Sequence, residues 1–430
     1  MYYLDNLRAV AVLAVLLLHT SICYMVAAPQ WWYVVDPDVS LVFTVIVLVV
    51  DVPIMSTMFL VAGYFAIPSL RRRGVGGFVR EKLIRLGAPW VFGVVVLAPA
   101  VTYLSFVSRS IPMSYLQFWT TEFWGPMYQQ AVYWFLGVLL ALFVLLAVAL
   151  KVRPGLVQRP TVRRAAPWRA ILAVGIVASV AAAALSPFFG LDDWHAVGWL
   201  FMVQPARVVL YPAFFVLGIH AERQGWLAGD GWRPSARLWI PVSVVAGVVY
   251  LGFRVTAYSA AVPARVVGGV LFVTFCVSGV LAAVAAFSRW GDSSTRTWRV
   301  LADNAFGVYY IHPLVLYPGA LLLVGIAVPG PVKFAVLRPQ PSHSRSPSAL
   351  VSSGARRCCT GCSRAPLDSD QPTPRGRTVR FGPPSTRRNC RLDLRLLGSS
   401  VRRRSTPSRP IARARLRKVI WMTRPASPVR

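Results

Sequence analysis

Nine apolar stretches alternate with polar segments over the first three quarters of the chain: 7–28, 39–67, 88–107, 131–150, 170–189, 198–219, 238–255, 265–287 and 304–327. Runs of roughly 20 apolar residues are the length an α-helix needs to cross the hydrocarbon of a bilayer. The pattern therefore predicts an all-α, polytopic transmembrane helical bundle of about nine spans. A tenth opens at 329–337, PGPVKFAVL, and is lost where the text changes character at Arg338. The first span has no small-residue cleavage site and reads as retained, not as a signal peptide.

Several spans carry groups that do not belong in lipid. The first, YLDNLRAVAVLAVLLLHTSI, contains Asp5, Arg8 and His19. At 100° per residue the eleven steps from Arg8 to His19 make about three turns plus 20°, and Asp5 falls about 40° to the other side of His19. The three share one face, with Arg8 and His19 about 16 Å apart along the axis. Asp5 and Arg8 can equally be read as an interfacial anchor; His19, mid-span, cannot. Asp51 lies near the middle of the second span and must be neutral or paired, with His19 or with a cation from a neighbouring helix. Gln204 and Arg207 interrupt the sixth span, and Arg207 is suited to pair with an intramembrane acid. His312 precedes Pro313 in the ninth, where it either lines a cavity or bonds a carbonyl freed by the proline.

Charge orients the spans. The loops 68–87, 151–169, 220–237 and 288–300 hold 18 Lys and Arg; the alternate loops hold Arg109 alone. The positive-inside rule puts the N-terminus and the basic loops in the cytoplasm of a plasma (inner) membrane protein. Trp31, Trp32, Tyr33, Trp119, Phe123, Trp124 and Trp194 mark the other interface as an aromatic belt.

Composition agrees: 56% of the 430 residues are hydrophobic and 14% charged, against about 25% charged for a soluble chain. The net charge of +31 changes meaning once divided. Residues 338–430 hold 22 Lys/Arg against three Asp and four of the six cysteines; the first 337 residues carry a net of +12. The tail, with 21 Arg to one Lys, reads as a disordered Arg/Pro/Ser-rich segment of the kind a GC-rich gene yields out of frame. It is not read as a nucleic-acid binder, and its Cys359-x-x-Cys362 pair has no second pair to complete a zinc site.

These motifs resemble those of the acyltransferase-3 family of integral membrane proteins. The resemblance rests on Arg8-x10-His19, on Met58–Phe65 (with Ala62 where serine is usual), on the basic segment RRRGVGGFVREKLIRLGAPW, on Trp134-Phe135, on the ending FVLGIHAERQGW of the sixth span, and on LADNAFGVYYIHPLVLY around His312. It implies transfer of an acyl group, acetyl or succinyl, from cytoplasmic acyl-CoA to an extracytoplasmic carbohydrate acceptor. It also implies His19 as general base or acyl relay, Arg8 at the donor end, His312 and Asp51 at the site, and no metal. Arg80, Lys82 and Arg85 become candidates for the donor's phosphates; a topological role and headgroup binding are the other readings of the same charges. A membrane transporter for a polar solute is the alternative class, although no repeat of broken helices in two halves is visible. Asp192, Asp193 and His195 read as a solvated loop in preference to a metal site.

Overall fold

The computed structural model describes residues 1–157 and 167–337, which belong to one compact unit, Met1–Gln340. The basic tail and its proposed change of frame lie outside the described residues. The helices are α1 (Tyr2–Ile22), α2 (Leu41–Lys82), α3 (Ala98–Ser108), α4 (Trp134–Val152), α5 (Pro167–Leu185), α6 (Leu210–Gln224), α7 (Ala236–Thr256), α8 (Val262–Trp290), α9 (Arg296–Leu323) and α10 (Gly330–Leu337). A two-stranded antiparallel hairpin, β1 (His195–Val197) and β2 (Phe201–Val203), pairs His195 with Val203.

The distribution of side chains is that of a membrane protein. Val244, Val245 and Val248 on α7 and Leu145 and Val148 on α4 are exposed, as lipid-facing residues are. Thr20, Ser56, Thr57, Arg207, Glu222 and His312 are buried, because in a bilayer polar groups turn toward protein. Helix α1 is central and packs on α2, α8 and α9, burying Leu4, Leu7, Ala11, Val15 and Leu18 at helical spacing.

Among the described residues seven helices are long and apolar enough to span, so the expected count of nine is not reproduced. Two differences account for it. The expected loop 68–87 is helical: α2 runs through Arg71–Arg73 to Lys82 and continues as helical turns to Ser108, one stretch of 68 residues covering two expected spans. It bends at Gly74, whose φ of 69° suits a residue without a Cβ. Charge locates where a chain meets water, not whether its backbone stops being helical. The expected sixth span, 198–219, is helical only from Leu210. Gly198 at φ 57° and Pro205 without an N–H break its first half into the hairpin and a turn. Such backbone is tolerated at membrane depth where protein surrounds it.

Helices α2 and α6 approach at Gly63 and Gly218. A Cβ on Gly63 would lie 2.0 Å from the Phe215 carbonyl oxygen, and one on Gly218 would lie 2.1 Å from that of Leu60. This is the small-residue crossing that lets membrane helices touch backbone to backbone. It draws α6 against α2 and carries Arg207, just before α6, toward Asp51.

Candidate active site

His19 and His312, 293 residues apart in sequence, meet where α1 crosses α9: His19 Nδ1 lies 2.8 Å from His312 Nε2, with the rings stacked at 5.1 Å. Pro313 has no N–H for the carbonyl of Tyr309, four residues back, and that carbonyl takes His312 Nδ1 at 2.6 Å instead. Of the two sequence readings of His312, the bond to the carbonyl that the proline frees is the one seen; its ring reaches the cavity only through His19. The pairing fixes the proton positions. A carbonyl only accepts, so His312 Nδ1 carries hydrogen and, with both rings neutral, its Nε2 accepts from His19 Nδ1–H. His19 Nε2 is left with a lone pair and, among the described residues, no partner. Trp32 packs on the His19 ring at 5.7 Å.

The His19 ring lines a partly open cavity of about 70 Å³, room for a few water molecules. Asp51, Ser56, Trp134, Gln204, Arg207 and Tyr211 supply its polar wall. Asp51 does not pair with His19. Its partner is Arg207, which binds Asp51 through Nη1 at 2.5 Å and Asp192 through Nη2. Asp192 in turn takes Arg254 Nη2 at 2.6 Å, and Arg207 stacks over Phe272 at 4.5 Å. Two cations and two carboxylates thus close a neutral network beside the dyad. Burial works against the Asp192 charge, but Arg254 and Arg207 hold its carboxyl below the usual carboxylate range. Asp192, Asp193 and His195 are all exposed, as a solvated loop would have them, and Asp192 alone of the three is drawn into the network.

The remaining expected residues lie elsewhere. Arg8 is partly exposed near the start of α1 and pairs with Asp5 at 3.3 Å, well away from the cavity. Glu81 gathers Arg73, Lys82 and Arg85, at 3.2, 3.7 and 3.2 Å. Lys82 points its ammonium over Phe78 and Phe143, whereas Arg80 and Arg85 are exposed. Of the three candidates for the donor's phosphates, Arg80 and Arg85 thus face outward and Lys82 turns in.

A family model described as an acyltransferase domain matches residues 1–338. The chain belongs to the acyltransferase-3 family. It is a multi-pass membrane acyltransferase, which decides between the enzyme and the transporter in favour of the enzyme. No match to the chain was found among curated proteins or among solved structures.

Sequence reasoning passed over three groups in this acyltransferase. Arg254 is one of many arginines in the sequence with nothing to single it out, yet it completes the network through Asp192. Tyr211 drew no attention among the apolar residues of its span, although Pro205 and Pro212 mark the helix break beside it. Lys333 and Asp36 form a buried ion pair at 2.8 Å that ties α10 to the segment after α1.

Proposed function

We propose that this acyltransferase moves a short acyl group from cytoplasmic acyl-CoA to a hydroxyl of an extracytoplasmic carbohydrate, across the plasma membrane. The observation that carries the reading is the His19–His312 pair, whose His19 ring opens onto a cavity inside the bundle. An imidazole held by one ring nitrogen, with a lone pair on the other, is suited to take a proton from a hydroxyl near neutral pH. In the step proposed, His19 Nε2 accepts the hydroxyl proton while that oxygen attacks the thioester carbonyl carbon. The C–S bond then breaks and the proton passes from His19 to the departing thiolate. His312 touches no substrate; it is a positioning residue that fixes the His19 tautomer.

The 18-to-1 division of basic residues between the two sets of loops supports a cytoplasmic N-terminus. Arg8, about 16 Å from His19 by helix rise, is within the reach of an extended pantetheine arm and supports a place at the donor end. Exposed Arg80 and Arg85 suit the phosphates of the nucleotide, with Lys82 in a lesser role. The cavity also favours acetyl over succinyl. It is small, and Arg207 and Arg254 already hold Asp51 and Asp192, so a second carboxylate would enter beside Asp51 against its charge, with only Arg207 Nε and Arg254 Nη1 left unpartnered.

The test is thiol release by the full chain in nanodiscs, supplied with acetyl-CoA or succinyl-CoA and a panel of saccharides. Expected are acetyl-dependent turnover and its loss in His19→Ala at normal expression. Turnover in His19→Ala within a few-fold of the unsubstituted protein would remove His19 from the chemistry. A preference for succinyl-CoA would overturn the acyl assignment alone.

A further inference from the structure

Two side chains in the cavity wall remain without a task. Gln204 and Tyr211 are both more than nine-tenths buried, at 7% and 5% exposure. Both line the cavity that His19 opens onto. Among the described residues neither the Gln204 amide nor the Tyr211 hydroxyl has a hydrogen-bond partner, and neither is sealed away from the cavity. Each group therefore takes its hydrogen-bond partner from whatever occupies the cavity. Nearby, Ser56 Oγ accepts Cys276 Sγ–H at 3.1 Å, and Arg207 holds two carboxylates through its two Nη atoms, with its Nε left unpartnered among the described residues.

The backbone explains why these two donors face the same space. Gln204 directly follows β2 within the non-helical half of the broken span, and Tyr211 is the second residue of α6. Helix α6 therefore begins inside the bundle, where its N-terminal dipole favours negative charge. The Tyr211 ring is clamped by stacking on Phe59 at 4.9 Å and by Trp134 at 5.4 Å, so its hydroxyl position is set by packing. The cavity thus holds a base on the α1 side, two neutral donors on the α6 side, and room between them for a group of a few heavy atoms.

We propose that the Gln204 amide and the Tyr211 hydroxyl are the donors for the acyl carbonyl oxygen, an oxyanion site facing His19. The inference rests on the acyl transfer proposed above. As the acceptor oxygen bonds to the carbonyl carbon and its proton goes to His19 Nε2, the C=O electron pair moves onto oxygen. Gln204 Nε2–H and Tyr211 Oη–H receive that negative oxygen. Collapse restores C=O, expels the thiolate, and returns the proton from His19 to sulfur. Neutral donors suit this work beside the Arg207 network, because they stabilise charge as it develops without attracting a resting anion.

Tyr211→Phe and Gln204→Leu, in the full chain in nanodiscs, test the assignment. Each should lower kcat for acetyl-CoA by about 10²-fold, the usual effect of removing one oxyanion donor. Affinity for S-ethyl-CoA, a thioether with no carbonyl, should be unchanged in both. Loss of thioether binding together with kcat would assign the two residues to cavity shape and overturn the proposal, as would wild-type kcat in either variant. If the variants do not fold, infrared spectra of [1-13C]acetyl-CoA bound to His19→Gln decide the matter: the carbonyl band should shift to lower wavenumber, and an unshifted band refutes the proposal. A wild-type protein that releases no thiol from any acyl-CoA removes the acyl-transfer reading and this inference together; active wild type with indifferent variants removes this inference only.

Discussion

Replacing His312 tests the dyad most directly, because the structure gives it a definite role without substrate contact. His312→Leu removes the acceptor for His19 Nδ1–H and leaves that donor unpartnered in a buried site. An orphaned buried donor costs about 1–3 kcal/mol, which is relieved if the His19 ring rotates or if its proton moves to Nε2. Either change removes the lone pair that is to act as base. The same 1–3 kcal/mol charged to the productive arrangement lowers kcat by about 5- to 150-fold. His312→Gln offers an amide oxygen as acceptor and should recover much of the loss. The assay is initial-rate thiol release in nanodiscs, with 15N shifts of labelled His19 reporting the tautomer. Because the two histidines act as one unit, His19→Ala/His312→Leu should be no slower than His19→Ala alone. Three results would refute the reasoning: wild-type kcat in His312→Leu, no recovery in His312→Gln, or fully additive losses in the double variant.

Three further outcomes follow from packing and charge. Gly218→Ala places a methyl against the Leu60 carbonyl, where only backbone can yield, and should destabilise by at least about 1–3 kcal/mol, read as a lower Tm in detergent; an unchanged Tm contradicts the crossing. Asp192 has a folded-state pKa below its unfolded value of about 3.9, so its ion pairs stabilise the fold fully above that value and lose their contribution as pH falls through the folded value. Asp192→Asn should therefore lower Tm at pH 7 and flatten the acid limb below about pH 4; an acid limb identical to wild type speaks against the network. With native cysteines removed, Leu116→Cys should react with an impermeant maleimide on intact cells and Arg72→Cys only after lysis, and the reverse pattern would invert the proposed orientation.

Hydropathy alone determined that this chain is a helical membrane protein, because the cost of bare backbone and charge in hydrocarbon is local and large. The same cost singled out His19, Asp51, Arg207 and His312 as residues needing partners, and the family motifs around them agreed with the match over residues 1–338. Which partner each takes was not legible. Asp51 had His19 or any neighbouring cation to choose from, and the α2–α6 crossing at Gly63 and Gly218 delivered Arg207. His19 was left to His312, whose ring is turned by a carbonyl that Pro313 frees. Helix ends were misjudged for the same reason. Charge marked 68–87 as a loop though its backbone stays helical, and an apolar run hid the break before Leu210. Burial cost is a property of single residues and can be read along the chain; pairing and helix breaks depend on what packing places opposite them, and that is decided only in three dimensions.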